Sequence, residues 1–150
     1  MINSTVSQSN TTSPLITHVI YSGLGGHSAV LLTLLRCTVF SVFRHHIIFA
    51  GIESPNPFTV SAIHALGLSY SYVKRHDSFF SYLSFINQIA KQINTSSSSL
   101  TLFHGLSCVP ASLLIKSPSI VRDTQNSELK TVTDWFLLLF ANLFCSRLIY

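Results

Sequence analysis

The sequence predicts an α/β fold: a three-layer, Rossmann-like domain with a parallel sheet of about six strands and helices on both faces. Three observations carry that expectation. From residue 15 onward, short β-rich runs alternate with longer helical stretches, as crossovers do when each must bury an apolar stripe on a sheet. The strand candidates are continuous apolar runs, the pattern of strands covered on both faces. The chain has 150 residues and is 47% apolar, enough for one core and too short for two.

The elements follow in order. Residues 1–14 (MINSTVSQSNTTSP) read as a flexible polar tail; with no Lys or Arg and no apolar stretch they are no signal peptide. Leu15–Ser22 (LITHVIYS) is the first strand, closed by Gly23-Leu24-Gly25-Gly26, and a helix covers about 27–43. His46–Ala50 is the second strand. Ser54-Pro55-Asn56-Pro57 starts a helix over 58–66, with Pro57 suited to its first turn and Gly67 to its stop. Leu68–Val73 is the third strand.

Apolar Phe79, Leu83, Ile86, Ala90 and Ile93 then recur at helical spacing, with Ser81, Ser84, Asn87, Gln88 and Lys91 opposite, so 79–93 is an amphipathic helix. A polar loop, 95–99, leads to the fourth strand, Leu100–His104. Pro110–Lys116 is a short helix and Ser119–Arg122 the fifth strand. A long helix over 126–144 precedes a sixth strand from Arg147 to Tyr150.

Charged residues are only 9% of the chain, against roughly 25% in an average soluble domain, so a membrane protein has to be tested. Mean hydropathy is +0.45. The run Ala29–Phe43 has 15 residues with Arg36 inside it, and Trp135–Cys145 has 11 with Asn142. Both fall short of the roughly 20 that span a bilayer. Cys37, Cys108 and Cys145 form no CxxC pair and read as buried free thiols in a reducing cytosol. The seven histidines include no H-x-x-x-H spacing, and His45 and His46 point to opposite faces of a strand, so no metal site is expected. The nine basic residues are dispersed, which argues against nucleic acid.

In an open α/β sheet, ligands bind beyond the carboxyl ends of the strands. Three loops there carry chemistry. In Ser22–Ser28 the glycines let backbone approach a ligand, and free N–H groups at a helix start favour an anion or a sugar hydroxyl. His104 ends the fourth strand, from which its imidazole is expected to project into the crevice and titrate near neutral pH. In 122–130, Asn126 and Glu128 suit a helix start, while Arg122 and Lys130 could neutralise a phosphate.

The stretches HVIYSGLGGHSAVLLTLL, HHIIFAGIE, LFHGLSCVPA and VRDTQNSELKTVTDWFLLLFANLF resemble the amino-terminal domain of bacterial family 4 glycosyltransferases over about residues 15–150. Those are retaining enzymes of the GT-B fold, two Rossmann-like domains facing across a cleft. The resemblance implies an acceptor-side domain that works with a separate nucleotide-sugar-binding domain, and no further cofactor. Carried over by position, it implies His104 as the catalytic residue and Gly25, Gly26, His27, Arg122, Thr124, Gln125 and Lys130 as substrate-binding residues. Ser28 stands where relatives commonly have glycine, Asp123 where they have Glu, and residues 36–45 carry less charge. The donor domain itself is missing from this sequence, so the chain alone is expected to be inactive.

The implied partners are a nucleotide-sugar donor, engaged only with a second domain, and a glycan or lipid-linked acceptor of polysaccharide biosynthesis. The implied location is the cytoplasm, with peripheral contact at the inner face of the plasma membrane as a further expectation. A net charge of +4, with Lys74, Arg75 and His76 at a strand end, agrees with an acidic or membrane-borne acceptor. The weakly basic polar face of helix 79–93 favours packing on the sheet over lying on a bilayer. Two other readings stay open. One is the dinucleotide-binding domain of an oxidoreductase, using Gly23, Gly25 and Glu53. The other is a non-catalytic remnant of an enzyme.

Overall fold

A computed structural model describes residues 13–21, 25–37, 41–76 and 78–122, then 136, 139, 143 and 147–149. Six parallel strands form one sheet in the order β3-β2-β1-β4-β5-β6: β1 Leu15–Tyr21, β2 Arg44–Gly51, β3 Ser69–Lys74, β4 Leu100–His104, β5 Ser119–Arg122 and β6 Arg147–Ile149. The helices are α1 Gly25–Leu35, α2 Pro57–Ala65 and α3 Phe79–Thr95, with a 3-10 helix at Val109–Leu113. The expected Rossmann-like architecture is therefore present. The tail residues 1–12 and most of the expected helix 126–144 lie outside the described residues, although Phe136, Leu139 and Leu143 are helical and exposed. No helix among the described residues is long and apolar enough to cross a membrane.

The chain steps outward from β1 to β2 to β3, then returns through α3 to place β4 on the other side of β1. This reversal puts α1 and α2 on one face and α3 on the opposite one. Strand alternation sorts the core accordingly. Ile20, Ile47 and Phe49 pack with Leu31 of α1 and Ile63 of α2. Val19, Ile48, Ala50, Val73, Phe103 and Val121 pack with Phe85, Ile86, Ile89 and Ile93 of α3.

Local chemistry fixes the element ends. Asn56 caps α2 by accepting from the Phe58 N–H at 2.9 Å, with Pro57 in the first turn. Gly67, at φ +67°, makes the left-handed stop that β-carbon-bearing residues avoid. A capping box between Ser78 and Ser81 starts α3.

Three elements differ from expectation. Helix α1 runs Gly25–Leu35 instead of 27–43, because Thr38, Val39 and Val42 beyond it are β-branched and weak helix formers. Strand β2 begins at Arg44, two residues early, where the Arg44 N–H donates to Pro14 O at 3.0 Å and its Nε donates to Ser13 O at 3.0 Å. The short helix expected over 110–116 is the 3-10 turn Val109–Leu113.

Candidate functional site at the carboxyl edge of the sheet

The order in which the chain adds strands reverses between β1 and β4, the position where open α/β sheets form a ligand crevice. Chemistry from three adjacent strands meets there. Gly25 and Gly26 open α1 at the carboxyl end of β1, so their N–H groups belong to the uncompensated first turn of a helix. His104 ends β4 in register with Ile20 of β1, and Arg122 ends β5 in register with His104. Gly105, at φ +97°, turns the chain out of β4, and its N–H donates to Arg122 O at 2.9 Å. His27 lies in the first turn of α1.

The predicted residues Gly25, Gly26, His104 and Arg122 thus share the carboxyl edge of neighbouring strands. Thr124, Gln125 and Lys130, with Gly23 and Asp123, lie outside the described residues. Glu53, which a dinucleotide site would use, is exposed two residues beyond the end of β2. Tyr72 pins that turn by donating to Gly51 O and Ile52 O at 3.0 and 3.1 Å.

The placement of the His104 ring corrects one expectation. It does not project from the top of the sheet; it is 4% exposed and lies along the face shared with α1 and α2. Its Nε2 stands 3.1 Å from Nδ1 of His18, whose Nε2 stands 3.0 Å from Nδ1 of His45. Strand parity explains the alignment: His45, His18 and His104 fall on one face of β2, β1 and β4, each displaced along the next strand. Adjacent ring centroids are 5.2 and 5.4 Å apart. Burial, with the neighbouring charges of His104 and His45, pushes the His18 pKa down to about 3, so the central ring is neutral at ordinary pH. His46 points to the other face, as its neighbour's parity requires, and bonds Ser69 and Ser71 at 2.8 and 3.2 Å.

A second group was not singled out by sequence reading as a site. On the α3 side of the same edge, Arg75 Nη1 donates to the Tyr21 hydroxyl at 3.2 Å, and its guanidinium lies 5.2 Å from the centre of the Tyr82 ring. The Nε of Arg75 is buried without a hydrogen-bond partner. Tyr82 donates to Ser107 O at 3.0 Å, and burial pushes its hydroxyl up to about 12. Burial likewise pushes the Cys108 thiol up to about 12, so Cys108 is no nucleophile at neutral pH. The edge therefore combines helix-start N–H groups, two arginines and a chain of three imidazoles whose central ring is neutral. That set can hold an anion and hydroxyl groups, and it offers no activated nucleophile among the described residues.

Comparison with known proteins gives one line of support. No protein-family model matches the sequence, and no curated protein matches it. Among solved structures, the chain is similar to a UDP-glucosyltransferase from Polygonum tinctorium capable of glucosylating indoxyl, solved in complex with 3,4-dichloroaniline. The TM-score is 0.52 at 12% identity, over 75% of this chain and 30% of that enzyme. Likeness at that identity shows the fold, that of a glycosyltransferase domain, and the chain spans less than a third of the enzyme it matches.

Proposed function

We propose that this chain is the acceptor-side domain of a glycosyltransferase, with residues 15–150 forming one half of a two-domain enzyme of the family 4 kind. The observation that carries this reading is the switch in strand order between β1 and β4, which puts the glycine start of α1 on the same sheet edge as His104 and Arg122. The distant UDP-glucosyltransferase neighbour supports a glycosyltransferase-like fold for this domain. Transfer from a nucleotide-sugar needs its leaving diphosphate stabilised by positive groups or helix-end dipoles, and the sugar held against an acceptor hydroxyl. The carboxyl edge supplies Gly25, Gly26 and Arg122 for the first task and His104 for proton handling near the acceptor. Arg75 and the neighbouring Lys74 and His76 favour an acidic acceptor, such as a lipid-linked phosphosugar at the inner face of the plasma membrane.

Most donor contacts belong to the second domain, so the 150-residue chain alone transfers no sugar. It holds a nucleotide-sugar no tighter than about millimolar, the affinity of a few contacts. In an enzyme completed by its donor domain, His104→Ala lowers turnover by more than about tenfold, the lower range for a lost proton-transfer group. The deciding experiment is amide NMR titration of the isolated chain with UDP-glucose, oligosaccharides and NAD. Weak sugar-induced shifts clustered at residues 25–27, 104–107 and 122 are the expected result. Micromolar NAD binding would establish the dinucleotide reading instead, and sugar-induced shifts confined to the amino edge would remove the site.

A further inference from the structure

Of the buried histidines, the proposed sugar transfer calls on His104 alone, yet His104 is the end of a buried row of three imidazoles. A neutral imidazole has one N–H and one bare nitrogen. His18 has both nitrogens within hydrogen-bond distance of another ring, so it must donate to one neighbour and accept from the other. Only two arrangements satisfy the row. In one, His45 Nδ1–H donates to His18 Nε2 and His18 Nδ1–H donates to His104 Nε2, which leaves the His104 proton on Nδ1. In the other, every bond is reversed, and His104 carries its proton on Nε2. The tautomer of His104 is therefore tied to that of His45, across β1.

The spacing fits shared protons and not a shared metal. A zinc ion with tetrahedral bonds of about 2.0–2.1 Å would spread two nitrogens to roughly 3.3 Å, against the 3.0 and 3.1 Å found. No group of three metal-ligating side chains occurs among the described residues. The far end of the row reaches the amino edge, where His45, with Leu15, Phe43, Arg44 and Ser69, lines a groove of about 530 Å³. The row thus runs diagonally from one edge of the sheet to the other.

Helix α1 carries His27 in its first turn and no Asp, Glu, Lys or Arg between Gly25 and Leu35, and α2 contributes His64, which is exposed against Tyr70. On the flanking strands, Tyr70 and Tyr72 of β3 pack against this layer, and Arg122 of β5 lies in register with His104. Arg44 reaches away to Ser13 O, and Glu53 stands past the end of β2, where it acts on Tyr72. Among the described residues, the charged groups acting on His18 are His104 and His45.

We propose that His45, His18 and His104 work as one proton-sharing unit, in which His18 and His45 are positioning residues that fix which nitrogen of His104 carries the proton at the carboxyl edge. The catalytic use of that proton rests on the glycosyl-transfer reading; the coupling of the three rings does not. The test is 15N NMR of the imidazole nitrogens in the 150-residue chain. In the wild type, His18 remains neutral down to pH 5, with couplings across both N–H···N bonds. His45→Leu, which removes a ring on the far side of β1 from His104, changes the His104 tautomer ratio by roughly twofold or more. His45→Gln, which can still donate to or accept from His18, restores part of the wild-type ratio. Unchanged His104 nitrogen shifts in His45→Leu would overturn the proposal. So would a wild-type His18 that charges above pH 5, a measurement that needs no variant to fold. Sugar binding that fails while the coupling persists would count against the proposed function alone.

Discussion

Acidification should unfold this protein through His18, and the size of the effect follows from its burial. The ordinary histidine value of 6.5 applies to the unfolded chain, whereas the folded ring is held at about 3. Between those values the unfolded state binds a proton that the folded state refuses, so stability rises with pH across that window. The His18 contribution is complete above pH 6.5, declines as pH falls below it, and stops declining near pH 3. Each pH unit is worth about 1.4 kcal/mol, so moving from pH 7.5 to pH 5 removes about 2 kcal/mol, a sizeable share of a typical domain's stability. His46, also held low by burial, adds a term of the same sign. The assay is urea unfolding followed by circular dichroism at half-unit steps from pH 4 to 8, for the wild type and His18→Leu. His18→Leu is less stable at pH 7.5 because it leaves two ring nitrogens without their partner. Its stability nevertheless falls less steeply with acid, by about one proton's worth of slope, while the His46 term cancels between the two proteins. Parallel stability–pH curves would refute the claim that His18 is the buried neutral group.

Three further outcomes follow from packing and local geometry. Phe103→Ala, at a fully buried site between β1 and β5, costs about 3–5 kcal/mol, read as a lower urea midpoint with unchanged slope. Gly67→Ala costs about 1 kcal/mol through its left-handed backbone alone, since an added β-carbon meets nothing within 4 Å; an unchanged melting temperature would contradict this. Thiol labelling mapped by mass spectrometry modifies Cys37, which is exposed just past the end of α1 and not buried as the sequence suggests, and reaches Cys108 only on unfolding, because the latter is buried and its thiolate suppressed.

The parts of the fold readable in the sequence are those fixed by short-range chemistry. Asn56 and Pro57 mark the start of α2, Gly67 marks its end, and the five-residue apolar run Leu100–His104 is β4 to the residue. The end of α1 was misread because the apolar run to Phe43 outweighed the weaker signal of β-branched Thr38, Val39 and Val42, and only the pairing of Arg44 with Leu15 sets where β2 must begin. The site was legible in outline: a glycine turn after β1, a histidine ending β4 and an arginine ending β5 are each visible in their own loops. The direction of the His104 ring was not. His18 looks like one polar interruption of an apolar strand, and its partners lie 27 and 86 positions away, so only the register of three strands brings them together. The Arg75–Tyr21 contact was hidden for the same reason, with 54 positions between its members.

The central place of β1 also sets a timetable for synthesis. Its first neighbour, β2, leaves the ribosome soon after it, but β4 begins about 85 residues after the start of β1. At about 5–20 residues per second, several seconds or more pass during which one side of β1 is an open edge. Throughout that interval His18 lacks the ring of His104 and much of the burial that holds it neutral, so the nascent strand carries a titratable group along an unpaired apolar border. Once β4 docks, the same residue is neutralised and sealed inside the sheet layer.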